Sequence, residues 1–186
     1  MLIGKAATQR WKAAFALAAY AGLRMGEIRA LRWEDIGAET VNVRHSAAPD
    51  GTIGSPKTEA GVRSIPILPE LRRVLTAWRL ASPRSLDENF VVGTSSGRTV
   101  SETALRKALI AATEGIEVEG RLSMHSLRHS FASTLIVSGL APTTVALLAG
   151  HTDAGFTLRV YAADARPMAE VVEDVLARTA SVGLGS

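Results

Sequence analysis

Cysteine is absent from the sequence, which rules out disulfides, thiolate metal sites and a cysteine nucleophile. No apolar run approaches the length of a membrane span. The opening MLIGKAATQR lacks a basic stretch followed by an apolar core, so it does not read as a secretory leader. The chain is accordingly expected to be cytoplasmic, without a membrane partner. Lysine is scarce: 17 of the 21 cationic residues are arginine, whose planar fork matches phosphate bidentately, although a GC-rich coding bias would give the same excess. Tyrosine is limited to two positions, Tyr20 and Tyr161, so each can be weighed individually.

A chain of 186 residues is long enough to bury a substantial core and is read as one domain. The net charge of +3 is unevenly spread. Residues 1 to 80 carry 12 Lys or Arg against 7 Asp or Glu, and the remainder 9 against 11. No repeat at solenoid spacing and no low-complexity linker interrupts the pattern. QRWKAAFALAAYA (9 to 21) predicts a helix stopped by Gly22, with Tyr20 in the core, and a second helix is expected from about Gly26 to Trp33. TVNVRH (40 to 45) and GVRSIPIL (61 to 68) read as strands on either side of a turn-rich APDGTIG, giving a small hairpin or meander. Pro69 opens an amphipathic helix through Leu80, FVVG (90 to 93) reads as a short buried strand, and Ser101 caps a helix to about Thr113. From Ser126 onward the pattern is helical, divided by Gly139, Gly150 and Gly155. The expected class is α+β, mainly α-helical with a small antiparallel β-sheet.

The segment MHSLRH (124 to 129) concentrates His125, Arg128 and His129 on five consecutive positions without a carboxylate. Histidines four apart share a helical face, the spacing of HExxH zinc sites, but the glutamate those sites need is missing. The permanent charge of Arg128 would repel a cation and attract an oxyanion. Other polar residues interrupt apolar segments: Arg24 with Glu27 three residues on, Lys57 beside a turn, His151 after Gly150, and Tyr161 within FTLRVYAAD. Singly, each has a plain structural explanation: a surface ion pair for Arg24, a solvated hairpin tip for Lys57, a helix cap for His151 and a packing anchor for Tyr161.

Their order is more specific than any one of them. AGLRMGEIRALRWEDI, PKTEAGVRSIPI and MHSLRHSFASTLIVSGLAPTTVALLAGHTDAGFTLRVYA resemble, in sequence, the first-arginine box, the hairpin-lysine segment and the second box of the tyrosine recombinases, or phage integrase family. The resemblance runs from about Ala13 to Asp164 and implies that family's catalytic-domain fold. It further implies a site-specific DNA recombinase or integrase that needs neither metal, ATP nor another cofactor. Arg24 and Arg128 would then hold the nonbridging oxygens of a DNA phosphate. His125 would add a hydrogen bond or act as base, and His151 would donate to a phosphate oxygen. Tyr161 is the implied nucleophile, forming a 3′-phosphotyrosyl bond, and Lys57 the implied acid for the departing 5′-oxygen. Glu27 is expected to orient Arg24, and His129 to give structural support.

Family members usually carry an N-terminal core-binding domain, whereas here the first arginine box arrives at residue 24. The chain is therefore expected to be a catalytic domain spanning 1–186, with the core-binding domain absent. RPMAEVVEDVLARTA (166 to 180) reads as an amphipathic helix that could dock on a neighbouring subunit of a homotetramer on double-stranded DNA, or fold back on its own domain. Two rival readings remain open at this level. A type IB topoisomerase-like enzyme would share the cleavage chemistry but relax supercoils as a monomer. A non-catalytic DNA-binding module would use the basic residues without needing Tyr161.

Overall fold

A computed structural model of the chain describes residues 8–56, 58–114 and 122–150. Lys57, His151, Tyr161 and the helix expected over 166–180 lie outside the described residues. Helix α1 (Gln9–Ala21) is the centre of the fold. Ala13, Ala14, Phe15, Ala16, Leu17 and Ala18 are all fully buried, the pattern of a helix surrounded on every side rather than one with a wet face. Its alanines let α3 (Pro69–Ala81) and α5 (Met124–Val137) approach closely from two directions. Tyr20, expected in the core, is instead half-buried at its edge, where its phenol lies near Glu70 and Arg73 of α3.

The second helix is shorter than the sequence suggested. Helix α2 covers only Met25–Ala30, and Trp33–Asp35 forms a separate 3₁₀ turn. The helix stops because backbone pairing to a distant segment captures the chain: Val91 N–H donates to the Leu31 carbonyl and Trp33 N–H to that of Asn89. That distant segment is FVVG. Val91 and Val92 are fully buried as expected, but residues 90–93 form a turn bracketed by the isolated bridges Arg32–Phe90 and Gly93–Thr99, not a strand. Trp33 fills the space beneath, 1% exposed, its indole N–H donating to the Arg84 carbonyl at 3.1 Å.

The β-structure is a long interrupted hairpin. Strands β1 (Thr40–Val43) and β4 (Arg63–Pro66) pair antiparallel, with Val41 opposite Ile65 and Val43 opposite Arg63. Strands β2 (Ser46–Ala47) and β3 (Ile53–Gly54) continue it outward as a second two-stranded pair. Alternation places Val41, Val43 and Ile65 inward on the core. Arg29, 1% exposed, fixes this arm to the body: its guanidinium donates to the carbonyls of Val100 and Ala48 at 2.8 and 3.0 Å and pairs with Glu102.

Helix α4 (Glu102–Thr113) starts at Ser101, whose hydroxyl accepts the Ala104 N–H. Helix α5 starts at Ser123 in the same way, through the Ser126 N–H. Helix α6 (Pro142–Ala149) has proline in its first turn and ends at Gly150, in the left-handed region at φ 65°. The fold is mostly helical with a small antiparallel sheet, and none of the described helices is long and apolar enough to cross a membrane.

Gly22, at φ 62°, closes α1 where a Cβ would lie 2.3 Å from Phe131 Cδ1, so backbone strain and a steric clash add at this position. Gly22→Ala is expected to destabilise the chain by roughly 2–4 kcal/mol. Gly54→Ala, where nothing lies within 4 Å, should change stability by no more than about 0.5 kcal/mol. Chemical denaturation of the two variants beside the parent chain checks both values.

Candidate active site

The ends of four helices meet at one place. Arg24 precedes α2 immediately after α1 has stopped at Gly22, and Arg128 stands one turn into α5. The Arg128 guanidinium donates to the Gly22 carbonyl at 2.5 Å and to the carbonyl of Ala149. Arg24 donates to the carbonyl of Gly150 at 2.5 Å. Both cations are thus held by carbonyls at the C-terminal ends of α1 and α6, the negative poles of those helices. Arg128 is 5% exposed, whereas the Arg24 side chain remains 41% exposed.

Glu27, 2% exposed, is the carboxylate beneath them. Its oxygens accept the Arg24 backbone N–H and guanidinium, each at 2.8 Å. They also accept both arms of the Arg63 fork, each at 3.0 Å. Burial alone would push this carboxyl's pKa up. The hydrogen bonds and charge of Arg63, then the backbone N–H and charge of Arg24, outweigh burial and hold the pKa below its usual value. Among the described residues, no carboxylate contacts Arg128 in this way. Burial first, and then the neighbouring charge of Arg24, push its pKa down to about 9. It stays cationic at neutral pH, and an anion arriving beside it would relieve that destabilisation.

His125 and His129 stand one turn apart on α5, their rings edge to face and their Nε2 atoms 2.8 Å apart. One nitrogen must donate and the other accept, so the two rings share a single proton at this contact. His129 is the more enclosed. Burial, then the charges of His125 and Arg128, lower its pKa from 6.5 and favour the neutral ring. His125, exposed and in the first turn of α5, is left facing the region where the helix N-terminus favours negative charge.

Arg24, His125 and Arg128 line one cleft of about 510 Å³, with Arg106 at its margin. Met25, Leu109, Ile110 and Leu122 form an apolar wall beside the cations. A separate cleft of about 640 Å³ is larger, and its walls include Arg10, Arg29 and Arg98. Among the described residues no histidine lines it, however, and Arg29, 1% exposed, is enclosed by backbone carbonyls and Glu102. The smaller cleft is the better candidate because it joins two arginines, one of them 41% exposed, to a histidine in the first turn of a helix. Among the described residues, no three histidine, aspartate or glutamate side chains are grouped closely enough to hold a metal ion. Paired guanidinium groups above a helix N-terminus suit a singly or doubly charged oxyanion.

Of the residues expected from the sequence, the structure brings together Arg24, Glu27, His125, Arg128 and His129. Lys57, His151 and Tyr161 lie outside the described residues, although their neighbours Pro56, Thr58 and Gly150 do not. Arg63 was not anticipated. Its signal was present: counting back by two from the buried Ile65 puts an arginine on the inward face of β4, where a charge needs a dedicated partner.

The comparisons with known proteins bear on the family and the fold. The family model described as Phage integrase family matches residues 2–167. The prophage integrase IntR of Escherichia coli K12 is 30% identical over 175 residues, covering 81% of this chain and 41% of its own length. The tyrosine recombinase XerC of Mesorhizobium japonicum is 26% identical over 153 residues, covering 82% of this chain and 46% of its own. The chain therefore spans less than half the length of these curated relatives. Among solved structures, the Tn1549 transposon integrase in complex with circular intermediate DNA superposes with a TM-score of 0.70 at 20% identity, covering 96% of this chain and 64% of that one. The XerA recombinase gives 0.64 at 22% identity, covering 89% and 60%. The family match covers most of the sequence, and the fold agrees with it: this chain belongs to the phage integrase family, the tyrosine recombinases.

Proposed function

We propose that this chain is the catalytic part of a site-specific DNA recombinase that cuts and rejoins strands through Tyr161. The observation that carries this reading is the approach of Arg24, Arg128 and His125 to a single cleft, with no carboxylate among the described residues that line it. A phosphodiester repels nucleophiles, and the pentacoordinate state that follows attack gathers still more charge on its nonbridging oxygens. Two guanidinium forks anchored on helix-end carbonyls are already in position for that charge and need no reorganisation as it grows.

In this scheme the Tyr161 oxygen attacks phosphorus, the phenolic proton passes to a base for which His125 is the candidate, and a 3′-phosphotyrosyl bond forms. The bond from phosphorus to the 5′-oxygen breaks, and Lys57 supplies the proton that makes it a hydroxyl. His151 donates a hydrogen bond to a phosphate oxygen. An unperturbed phenol with a pKa near 10 is only about one part in a thousand ionised at pH 7, so help from a base and from the arginines is required. The phosphoryl bond is conserved in the covalent link, so attack by a 5′-hydroxyl from another strand rejoins DNA without ATP. Repeating the exchange on further strands requires several active sites together, and the 166–180 segment is the proposed link between subunits of a homotetramer.

Incubation with a library of nicked duplexes, randomised around the nick, should give a covalent protein–DNA adduct, because the short 5′-hydroxyl fragment diffuses away. Sequencing the captured DNA would define the site, and mass spectrometry should place the nucleotide on Tyr161. Tyr161→Phe is expected to give no adduct, and EDTA to leave its yield unchanged. Arg24→Ala should slow adduct formation by roughly 10²–10³-fold, the usual loss when one charge-stabilising donor is removed. Adduct formation by Tyr161→Phe would overturn the reading.

Binding should also be salt-sensitive. If this part alone contacts about four phosphates, raising salt from 50 to 200 mM should weaken DNA affinity by roughly 10²-fold, as a titration by fluorescence anisotropy would show. A salt-independent affinity would be at odds with phosphate contacts by the arginines.

A further inference from the structure

Arg63 ties the hairpin, the end of α6 and Glu27 together. Its fork meets Glu27 with two parallel bonds of 3.0 Å, its Nε–H donates to the Leu148 carbonyl at 2.8 Å, and Nη1 also donates to the Gly61 carbonyl at 3.0 Å. The side chain is 7% exposed, so these contacts replace solvation almost completely. Glu27 thereby has two cationic partners, one enclosed and one half-exposed: Arg63 behind it and Arg24 at the cleft.

The charge count of this group decides what the cleft offers an anion. Arg24, Arg63 and Arg128 carry three positive charges against one on Glu27, a net of two. Without Arg63 the net would be one, and among the described residues Arg24 would be the guanidinium left to Glu27. A carboxylate with only one cation in reach takes that cation's fork for itself. Arg24 would then be drawn onto Glu27 and largely neutralised as a phosphate ligand.

We propose that Arg63 is a positioning residue for DNA cleavage: it takes up the charge and one face of Glu27, so that Arg24 is oriented by this carboxylate without being neutralised by it. The proposal rests on the reading of Arg24 as a phosphate ligand given above. It assigns Arg63 no contact with DNA. It predicts that loss of Arg63 harms the charge-stabilising step specifically, and that removing the charge of Glu27 compensates.

The test uses the full chain and the duplex recovered by covalent capture. Arg63→Met is expected to slow adduct formation by roughly 10- to 100-fold, the usual cost of losing the support behind a site residue. Arg63→Lys keeps the charge but loses the fork, and should fall between Arg63→Met and the parent. Arg63→Met also strands a buried carboxylate, so the double variant Arg63→Met/Glu27→Gln is made alongside it. The amide oxygen that Glu27→Gln leaves in place can still accept from Arg24, and the net charge of two is restored. The double variant should recover most of the lost rate, whereas a merely structural role for the pair would leave it as slow as the single variant. Melting temperatures show which variants are folded at the assay temperature, and if Arg63→Met is not, the double variant carries the comparison with the parent.

A second readout replaces one nonbridging oxygen at the scissile position by methyl, which removes the phosphate charge and with it the need for cations. On this methylphosphonate duplex the Arg63→Met defect, or that of Arg63→Lys where Arg63→Met is unfolded, should shrink to within about threefold of the parent, as should that of Arg24→Ala. If Arg24→Ala is relieved and the Arg63 variant is not, or if the folded double variant stays as slow as Arg63→Met, the proposal for Arg63 is overturned. If Arg24→Ala itself is not relieved, the earlier assignment of Arg24 to the phosphate is what fails.

Discussion

Two like charges, Arg24 and Arg128, share one cleft because backbone carbonyls at the ends of α1 and α6 hold them there. Mutual repulsion would otherwise send the half-exposed Arg24 into solvent. The carbonyls at a helix C-terminus have no intrahelical partner, and guanidinium groups satisfy them while meeting the negative end of the helix dipole. The rest of the arrangement depends on this fit. It requires α1 to stop abruptly at Gly22, α6 to stop abruptly at Gly150, and α5 to cross α1 so that Arg128 reaches both ends.

The central position of α1 follows from the same requirement. An alanine-rich helix with no wet face lets α3 and α5 close around it, and its terminus then sits deep enough that the Gly22 carbonyl is available to a buried arginine. The β-hairpin contributes through its inner strand. β4 delivers Arg63 under Glu27, and the neighbouring turn at Glu59–Gly61 is held against the same guanidinium. Helix ends, hairpin and cleft are therefore one cooperative unit, with Glu27 at its centre.

Much of this was legible in the residues themselves. The limits of α1 could be read because strong helix formers run unbroken to a glycine, and the starts of α3 and α4 because Pro69 and Ser101 mark them. The early stop of α2 could not, since nothing local forbids helix at Leu31 and Arg32. It is imposed by pairing with residues about sixty positions away, as is the turn taken by FVVG. At the site, the grouping of Arg24 and Glu27, and of His125, Arg128 and His129, was visible as spacing along helices. The meeting of the two groups was carried by the family resemblance rather than by any spacing. Arg63 is marked only by its place on the inward face of β4, two residues before the buried Ile65, and by no motif.

Beside their bonds to Glu27, Arg24 and Arg63 share with Arg128 a grip on main-chain oxygens, those of Gly22, Leu148, Ala149 and Gly150. An acceptor of that kind belongs to the peptide bond, so no exchange of side chain at Leu148 or Ala149 can delete it. Gly150 is different, because a methyl group there would stand 2.9 Å from both the Ala60 oxygen and Arg63 Nη1. Across diverging descendants of this chain, side chains in the last turn of α6 should therefore be set by packing alone, free at the exposed Leu147 and small at the buried Ala146 and Ala149. Variation should then halt at the glycine, where a single added carbon would force the hairpin and the helix end apart.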